Sequence, residues 1–223
     1  MPFLWKGGGY PGTGGTCATD LPASGTCTLV IEFAPGTVAT FNENLTLNYN
    51  NGLVAVSSTR ALTGTAVPPA LLVVDAGPTY DYGTVPTGGS LDRTFTVTNS
   101  GGFTASSLGG AGLSAPFTFK GGSFPGGGTC AATLNVGASC TFIVTYAPTA
   151  TGSQSGTIQV TYNNGVSGQT STRGVTGTGA APASLSLSHG PTLDYGTLPV
   201  GATADHTFTL TNSGGVPASA IVG

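Results

Sequence analysis

Short runs of alternating hydrophobic and polar residues recur along the chain and predict a protein made of β-strands. Two clear examples are residues 94–99 (TFTVTN) and residues 141–146 (TFIVTY). Alternation with a period of two places one face of a strand in a core and the other in solvent, so we expect Phe95 and Val97 to point inward. Glycine and proline separate these runs, which is typical of turns between short strands.

The chain repeats its own pattern at a fixed spacing. Residues 130–165 parallel residues 17–52, because each segment has two cysteines ten positions apart and ends in Tyr-Asn-Asn-Gly. A second correspondence joins residues 184–215 to residues 71–102, and equivalent residues lie 113 positions apart in both comparisons. Self-similarity at a fixed period is the signature of repeated structural units. The Asn-Gly pairs that close the cysteine segments predict tight hairpin turns.

The repeat divides the chain into three segments. Residues 70–181 contain a complete unit, residues 1–67 carry the C-terminal part of a unit, and residues 183–223 carry the N-terminal part of one. The complete unit has about seven or eight short strands, the pattern of an immunoglobulin-like β-sandwich. We predict an all-β protein of tandem immunoglobulin-like modules with a repeat of about 113 residues. No stretch between strands is long or periodic enough to be a crossover helix, so we expect antiparallel pairing throughout.

The two partial segments are nearly complementary, and three arrangements would complete them. Residues 183–223 can pair with residues 1–67 of the same chain, with those of a neighbouring chain, or with the next repeat of a longer array. Closure within one chain is the least favoured, because short junctions would have to bypass a sandwich whose poles lie about 35–40 Å apart. We expect pairing with a neighbouring chain or repeat, and both describe a fibre.

Composition indicates which partners and which compartment these modules have. Charged residues make up 6% of the chain, and its five Lys and Arg residues cannot follow a phosphate backbone, so we expect no nucleic-acid partner. A surface of Thr, Ser, Asn and Gly suits an extracellular, packed or polymeric protein. No apolar run is long enough to cross a bilayer, so we expect no membrane insertion. Residues 1–10 do not resemble a signal peptide. We predict a secreted or cell-surface protein whose signal is not in this chain.

The four cysteines form two local pairs, Cys17 with Cys27 and Cys130 with Cys140. Their spacing does not match zinc-binding motifs, and neither histidine is near a pair. We predict one disulfide in each copy, with four buried free thiols as the alternative. Each disulfide would stabilise its unit by about 3 kcal/mol in the chain-entropy model. Paired cysteines also indicate an oxidising compartment.

No set of residues has the pattern of a catalytic or metal site, so we predict no enzymatic activity, no metal and no cofactor. Lys6 and Lys120 are equivalent, but a Lys–Asn crosslink needs an acidic neighbour, and the middle unit has no Glu. The remaining candidates lie at bends or beside strands, where turn formation or solvent exposure explains them better than chemistry does; they are Asp81, Asp92, Asp194, Asp205, His189 and His206.

Four aromatic residues are candidate ligand contacts. Trp5 and Tyr10 occupy the positions that Phe119 and Phe124 occupy in the next copy. If their rings are exposed, they can stack on the rings of a sugar. If they are buried, they cover the end of the sandwich near the disulfide loop, which is the interpretation we favour.

The complete unit resembles a known repeat. Its bends, turns and closing strand are similar to those of the bacterial choice-of-anchor D repeat, which is related to the ASPM-SPD2-Hydin (ASH) group of immunoglobulin-like domains. The matching features are Tyr82-Gly83, Thr98-Asn99-Ser100-Gly101, Cys130, the Gly-Ala-Ser-Cys140 step, Ala147-Pro148 followed by Thr151-Gly152, and Gly177-Thr178-Gly179. The resemblance implies an immunoglobulin-like fold and tandem modules of large secreted or surface-attached bacterial proteins. It implies no particular ligand.

These observations together predict an extracellular structural protein. Its modules would join end to end as a filament, stalk or surface fibre, with strand complementation between chains as one route. The partner would then be the protein itself, as a head-to-tail homopolymer or a tandem repeat. The alternative is an adhesive module that binds a surface glycan or another protein.

Overall fold

The computed structural model describes every residue from Met1 to Gly223 and consists almost entirely of β-strands and turns. The chain divides into two compact units, Met1–Pro68 and Pro69–Gly223. Helical structure is limited to single 3₁₀ turns at Lys6–Gly8 and Lys120–Gly122. The structure therefore offers no helix with the length and apolar character needed to cross a membrane.

The first unit contains two separate strand pairs. The strands are β1 (Phe3–Trp5), β2 (Ile31–Phe33), β3 (Thr40–Asn50) and β4 (Ala55–Thr65). Strands β1 and β2 are antiparallel, and β3 and β4 form an antiparallel hairpin of 11 residues per strand. The hairpin turns at the predicted Asn-Gly, where Gly52 has a φ of 94° and the Asn51 side chain accepts the backbone N–H of Val54 at 3.0 Å. Glycine supplies this positive φ without steric cost.

The second unit begins with nine strands and ends with a further strand pair. In chain order the strands are β5 (Leu72–Val74), β6 (Thr79–Pro86), β7 (Leu91–Asn99), β8 (Ala105–Ala111), β9 (Phe117–Phe119), β10 (Thr133–Leu134), β11 (Ser139–Tyr146), β12 (Gly152–Asn163), β13 (Gly168–Ala180), β14 (Leu185–Leu187) and β15 (Leu210–Asn212).

Strands β5 to β13 form two sheets, which we call the middle sandwich. One sheet has the order β10-β8-β12-β13-β6, and the other has the order β5-β7-β11-β9. Buried residues alternate with more exposed ones along most strands, as in β11, where every second residue is buried. The predicted all-β sandwich is confirmed, and Phe95 and Val97 are fully buried as expected.

Aromatic rings fill the space between the two sheets. Phe95 stacks on Phe142 with ring centroids 5.5 Å apart, and Phe117 stacks on Tyr146 at 4.7 Å. Gly177 makes room for this second pair, because an added Cβ there would lie 2.6 Å from the Tyr146 ring. Such stacked pairs contribute about 0.5–1.5 kcal/mol each beyond the apolar area they bury.

One strand pair contradicts the expectation of antiparallel pairing throughout. Strand β6 pairs with β13 in parallel, from Thr79 beside Gly174 to Pro86 beside Ala180. A parallel pair needs a long connection between its strands. Here the connection is the rest of the sandwich, since β6 lies near its beginning and β13 ends it. The absence of a crossover helix therefore did not exclude a parallel pair.

The side chain of Asn99 is fully buried and joins several segments of the sandwich. Its amide nitrogen donates to the carbonyl oxygens of Phe103 and Leu134 at 2.8 and 3.0 Å. Its amide oxygen accepts the backbone N–H groups of Leu71 at 3.2 Å and Gly101 at 3.1 Å. Buried polar groups must be paired in this way. The sequence places Asn99 at the end of the strand 94–99 and in the turn that follows, and it does not predict this network.

Both predicted disulfides are present, and no free cysteine remains. Cys17 is bonded to Cys27 and Cys130 to Cys140, with a Cα–Cα distance of 4.8 Å in each pair. The hydroxyl groups of Thr129 and Thr141 lie 3.1 Å apart beside the second disulfide. The two disulfides indicate an oxidising environment.

Candidate interaction surface

The two partial segments reproduce the local geometry of the middle sandwich. For clarity, the N-terminal part is Met1–Pro68 and the C-terminal segment is residues 183–223. Strand pair β3–β4 has the register of β12–β13, since Leu45 faces Arg60 as Ile158 faces Arg173. Pairs β1–β2 and β14–β15 likewise reproduce the registers of β9–β11 and β5–β7.

Side-chain contacts within each segment are also reproduced. Asn212 repeats part of the Asn99 network, because its side chain donates to Val216 O at 2.9 Å and accepts the N–H of Ser184 at 3.0 Å. In the N-terminal part, an added Cβ at Gly64 would lie 2.7 Å from the Phe33 ring, as Gly177 approaches Tyr146 in the middle sandwich. Each segment therefore reproduces part of one half of the sandwich, although the counterparts of β6, β8 and β10 form no strand there.

The inward faces of these halves are more exposed than the same faces of the middle sandwich. In the C-terminal segment, Phe208 is 45% exposed, whereas the equivalent Phe95 is 0% exposed. In the N-terminal part, Tyr49 is 54% exposed, whereas the equivalent Tyr162 is 6% exposed. Contiguous exposed apolar residues on a soluble protein mark an interaction site when they form a patch. We call the inward apolar residues of the C-terminal segment, which include Phe208, and those of the N-terminal part, which include Tyr49, the open sheet faces.

The open face of the C-terminal segment consists of the apolar residues whose counterparts line the core of the middle sandwich. These exposed residues are Leu185, Leu187, Tyr195, Leu198, Phe208 and Leu210. Their counterparts, 113 positions earlier in the chain, are all buried; they are Leu72, Val74, Tyr82, Val85, Phe95 and Val97. The hydrophobic pattern is thus the same in both places, and the covering half of the sandwich makes the difference.

The middle sandwich has one ion pair, and both of its side chains are exposed. Lys120 Nζ lies 2.7 Å from Asp92 Oδ2, and the Thr145 hydroxyl donates to Asp92 Oδ1 at 2.6 Å. These hydrogen bonds, that of Lys120 above all, lower the pKa of the Asp92 carboxyl. Burial raises the pKa of Tyr82, whose hydroxyl donates to Val144 O at 2.9 Å.

The four candidate aromatic residues fall into two different environments. Phe119 is buried, and its ring packs edge-to-face on Phe124 at 5.6 Å and on Phe142 at 6.1 Å between centroids. These two phenylalanines belong to the core of the middle sandwich. Trp5 packs edge-to-face on Tyr10 at 5.2 Å, and the Tyr10 ring is exposed. An accessible ring face for a ligand is therefore found at the first pair.

The candidate carboxylates lie at turns, and the two histidines lie side by side in the C-terminal segment. Asp81 and Asp194 each accept a backbone N–H two residues ahead, at 2.9 and 2.8 Å, which is a turn-forming role. The rings of His189 and His206 lie 4.3 Å apart between centroids. No group of three or more His, Cys, Asp or Glu side chains is placed to hold a metal ion.

One open, shallow groove of about 430 Å³ lies along the middle sandwich. It follows the ends of strands β8, β12 and β13, and its walls carry hydroxyl, amide and backbone groups. Its lining residues are Ser107, Thr161, Tyr162, Asn163, Gly168, Gln169 and Thr170. The groove is too open to enclose a small molecule.

The architecture of the middle sandwich defines an immunoglobulin-like domain. Residues 73–178, slightly less than half of the chain, match the family model of the HYDIN/CFA65/VesB-like immunoglobulin-like domain. This match supports an ASH-related immunoglobulin-like domain for that segment. No curated protein sequence matches the chain. The narrower resemblance to the choice-of-anchor D repeat stays a prediction.

Three solved structures, two bacterial and one human, are similar to part of this chain. The VesB protease of Vibrio cholerae is 19% identical with a TM-score of 0.40, over 48% of this chain and 31% of that chain. An ASH/PapD-like domain of human CEP192 is 15% identical with a TM-score of 0.39, over 53% and 91%. A protein of unknown function from Porphyromonas gingivalis W83 is 11% identical with a TM-score of 0.40, over 66% and 70%.

Proposed function

We propose that this chain is an extracellular structural protein whose immunoglobulin-like modules join end to end as a filament or stalk. The observation that carries the proposal is the way the chain enters and leaves the middle sandwich. It enters beside the start of β13, where the N–H of Ala70 donates to Asn164 O at 3.0 Å. It leaves at the end of β13, where Ala180 O accepts the N–H of Thr87 at 2.8 Å.

These two points lie at opposite poles of the sandwich. Strand β13 has 13 residues and is therefore about 40 Å long. A module whose chain enters at one pole and leaves at the other adds its full length to an assembly. Short junctions then limit bending between modules, and the sheet hydrogen bonds resist shear. This geometry favours an extended structural protein over a compact binding domain.

The chemistry of the surface supports an extracellular location. Each copy of the repeat has a disulfide, which requires an oxidising compartment in most organisms. Charged residues are 6% of the chain, so little electrostatic repulsion keeps its surfaces apart. Secretion and self-association therefore fit the same set of observations.

Electron microscopy of negatively stained protein tests the proposal. We expect elongated particles whose length rises with protein concentration. Reduction with dithiothreitol serves as the control, since it opens both disulfides and is expected to shorten the particles or abolish them. Compact monomers of one size at all concentrations would refute a filament.

The exposed Tyr10 beside Trp5 supports a second candidate function, adhesion to a surface glycan. Aromatic faces stack on sugar rings, and this pair lies in the N-terminal part rather than in a core. A glycan array tests it directly: saturable binding that is lost in Trp5→Ala and kept in Phe3→Leu would support adhesion. Absence of binding to any glycan would remove this candidate.

A further inference from the structure

The middle sandwich shows how its two halves combine. Its first half supplies β5 to β8, and its second half supplies β9 to β13. Three ladders each join strands of the same half: β5–β7 in the first half, and β9–β11 and β12–β13 in the second. The other ladders, β7–β11, β6–β13, β8–β12 and β8–β10, each join the two halves. Each sheet therefore contains strands from both halves, and neither half alone can close a core.

We infer that the C-terminal segment of one copy of this chain completes the N-terminal part of a second copy, in the register of the middle sandwich. The inference rests on the proposed end-to-end assembly and names its joint. The C-terminal segment carries the counterparts of β5 to β7 and of all but the last residue of β8. The N-terminal part carries the counterparts of β9 to β13, and its own two ladders already match the template.

The apolar contacts of this joint follow from the template. In the middle sandwich, Phe95 lies opposite Phe142 and Val97 lies opposite Cys140. The corresponding pairs between copies are Phe208 with Leu29 and Leu210 with Cys27. Every member is apolar, so the exposed face of each segment has a hydrophobic surface to pack against. Burying these side chains removes apolar surface from water and therefore favours association.

The polar contacts of the joint are preserved as well. Tyr82 donates to Val144 O at 2.9 Å, and Tyr195 holds the same position in the C-terminal segment, with Ile31 O as its counterpart acceptor. Asn99 donates to Leu134 O at 3.0 Å, and the counterpart pair is Asn212 with Leu21 O. Both donors of the template therefore have counterparts at the same positions of the joint.

The junctions favour a second copy over closure on the same molecule. The chain enters the middle sandwich beside Asn164 and leaves it at Ala180, about 40 Å away along β13. The linking residues at each pole number only a few, and each spans at most about 3.6 Å. A head-to-tail contact that does not close on itself propagates from copy to copy.

One charge pattern distinguishes the joint from the template. At the position of Thr145, which bonds to Asp92, the N-terminal part has Glu32. The joint therefore places Glu32 of one copy opposite Asp205 of the other, with Lys6 at the position of Lys120. Like charges directly opposite each other are destabilising in a sheet. Lys6 is the cation that offsets them, so association depends on Lys6 more than the middle sandwich depends on Lys120.

Engineered disulfides in the full chain test the register. In the template, the hydroxyl groups of Thr98 and Ser139 lie 2.7 Å apart on paired strands. Their counterparts are Thr211 and Thr26, both exposed. We expect the double variant Thr26→Cys/Thr211→Cys to oxidise into covalent dimers, trimers and longer ladders on a non-reducing gel, with the ladder growing as protein concentration rises.

The matched control is Thr26→Cys/Thr209→Cys, which moves one cysteine two residues along the same face. It is expected to give at least tenfold less of the ladder, because the two sulfur atoms then lie about 7 Å out of register. Equal ladders from both variants, no ladder from either, or a crosslinked monomer would each overturn the inference. Elongated particles without a ladder would leave the proposed filament intact and refute only this joint.

Charge reversal provides an independent test that needs no crosslink. Lys6→Glu is expected to lower the apparent association constant at least tenfold in analytical ultracentrifugation, whereas the control Lys120→Glu is expected to change it less than twofold. Replacing Asp205 by Lys in the Lys6→Glu background is expected to restore association. Equal effects of the two single substitutions, or no rescue, would contradict this arrangement of charges.

Discussion

The middle sandwich and the C-terminal segment have nearly the same hydrophobic pattern and different surroundings. Strand β7 buries Phe95 and Val97 between two sheets, whereas the equivalent residues Phe208 and Leu210 are about half exposed. The local turn geometry is unaffected, since Asn212 keeps the contacts that Asn99 makes within its own half. Local structure is therefore encoded within each half, and burial depends on the other half.

Removing a core aromatic ring is the largest expected perturbation of this comparison. We expect Phe95→Ala to lower the free energy of unfolding by about 3–5 kcal/mol, because it leaves a cavity beside Phe142. Phe208→Ala in dilute, unassociated protein is expected to cost less than about 1 kcal/mol, because that ring is already half exposed. Chemical denaturation followed by circular dichroism measures both. Similar costs would mean that the C-terminal segment is covered even in the monomer.

Removing a disulfide is expected to have the next largest effect. Cys130→Ser/Cys140→Ser should destabilise the middle sandwich by about 3 kcal/mol, through the loop entropy of the unfolded chain. The equivalent Cys17→Ser/Cys27→Ser should destabilise the N-terminal part by a similar amount only where that part is completed by a partner. Hydrogen exchange at low and high protein concentration separates the two. If both variants lose the same protection from hydrogen exchange at low and at high protein concentration, the N-terminal part does not need a partner to complete it.

The buried asparagine provides a smaller and more local comparison. Asn99→Ala removes the donor to the buried carbonyl oxygens of Phe103 and Leu134 and is expected to cost about 2–3 kcal/mol. Asn212→Ala removes contacts at an exposed turn and is expected to cost under about 1 kcal/mol in the monomer. Thermal unfolding of both variants measures the difference. If Asn212→Ala is as costly as Asn99→Ala at low concentration, the two networks are equally buried.

Much of this fold could be predicted from sequence because it depends on short-range pattern. Alternation predicted strand β7 with Phe95 and Val97 inward, and the cysteine spacing predicted both disulfides. The fixed offset predicted which residues of the partial segments are equivalent to core residues. These features depend on neighbours in sequence or on simple repetition.

Other features could not be predicted, because they depend on residues brought together only by the fold. The parallel β6–β13 pair joins strands separated by most of a module. The burial of Asn99 depends on Leu134, a residue 35 positions away. Whether an aromatic pair is accessible also depends on the opposing sheet, since Phe119 and Phe124 pack on Phe142 while Tyr10 is exposed.

The exposed ion pair of the middle sandwich is expected to contribute least to the free energy of unfolding. The direction of its pH dependence follows from the pKa of Asp92. Lys120 and Thr145 hold the pKa of Asp92 below its ordinary value, so the ionised carboxylate stabilises the folded state. This stabilisation is fully present above the ordinary Asp pKa of 3.8 and is lost as the pH falls through the lowered pKa. Because the pair is exposed, we expect less than about 1 kcal/mol.

The variant Asp92→Asn should therefore lose stability above about pH 4 and little below it. Urea denaturation between about pH 2 and 7 measures this difference. Asp205→Asn is the matched control: the monomer has no equivalent ion pair at Asp205, so its stability should change little at any pH. If Asp205→Asn instead shows the same pH-dependent loss in dilute protein, Asp205 already has a cationic partner within one molecule. The like-charge contact with Glu32 would then not need a second copy to supply Lys6.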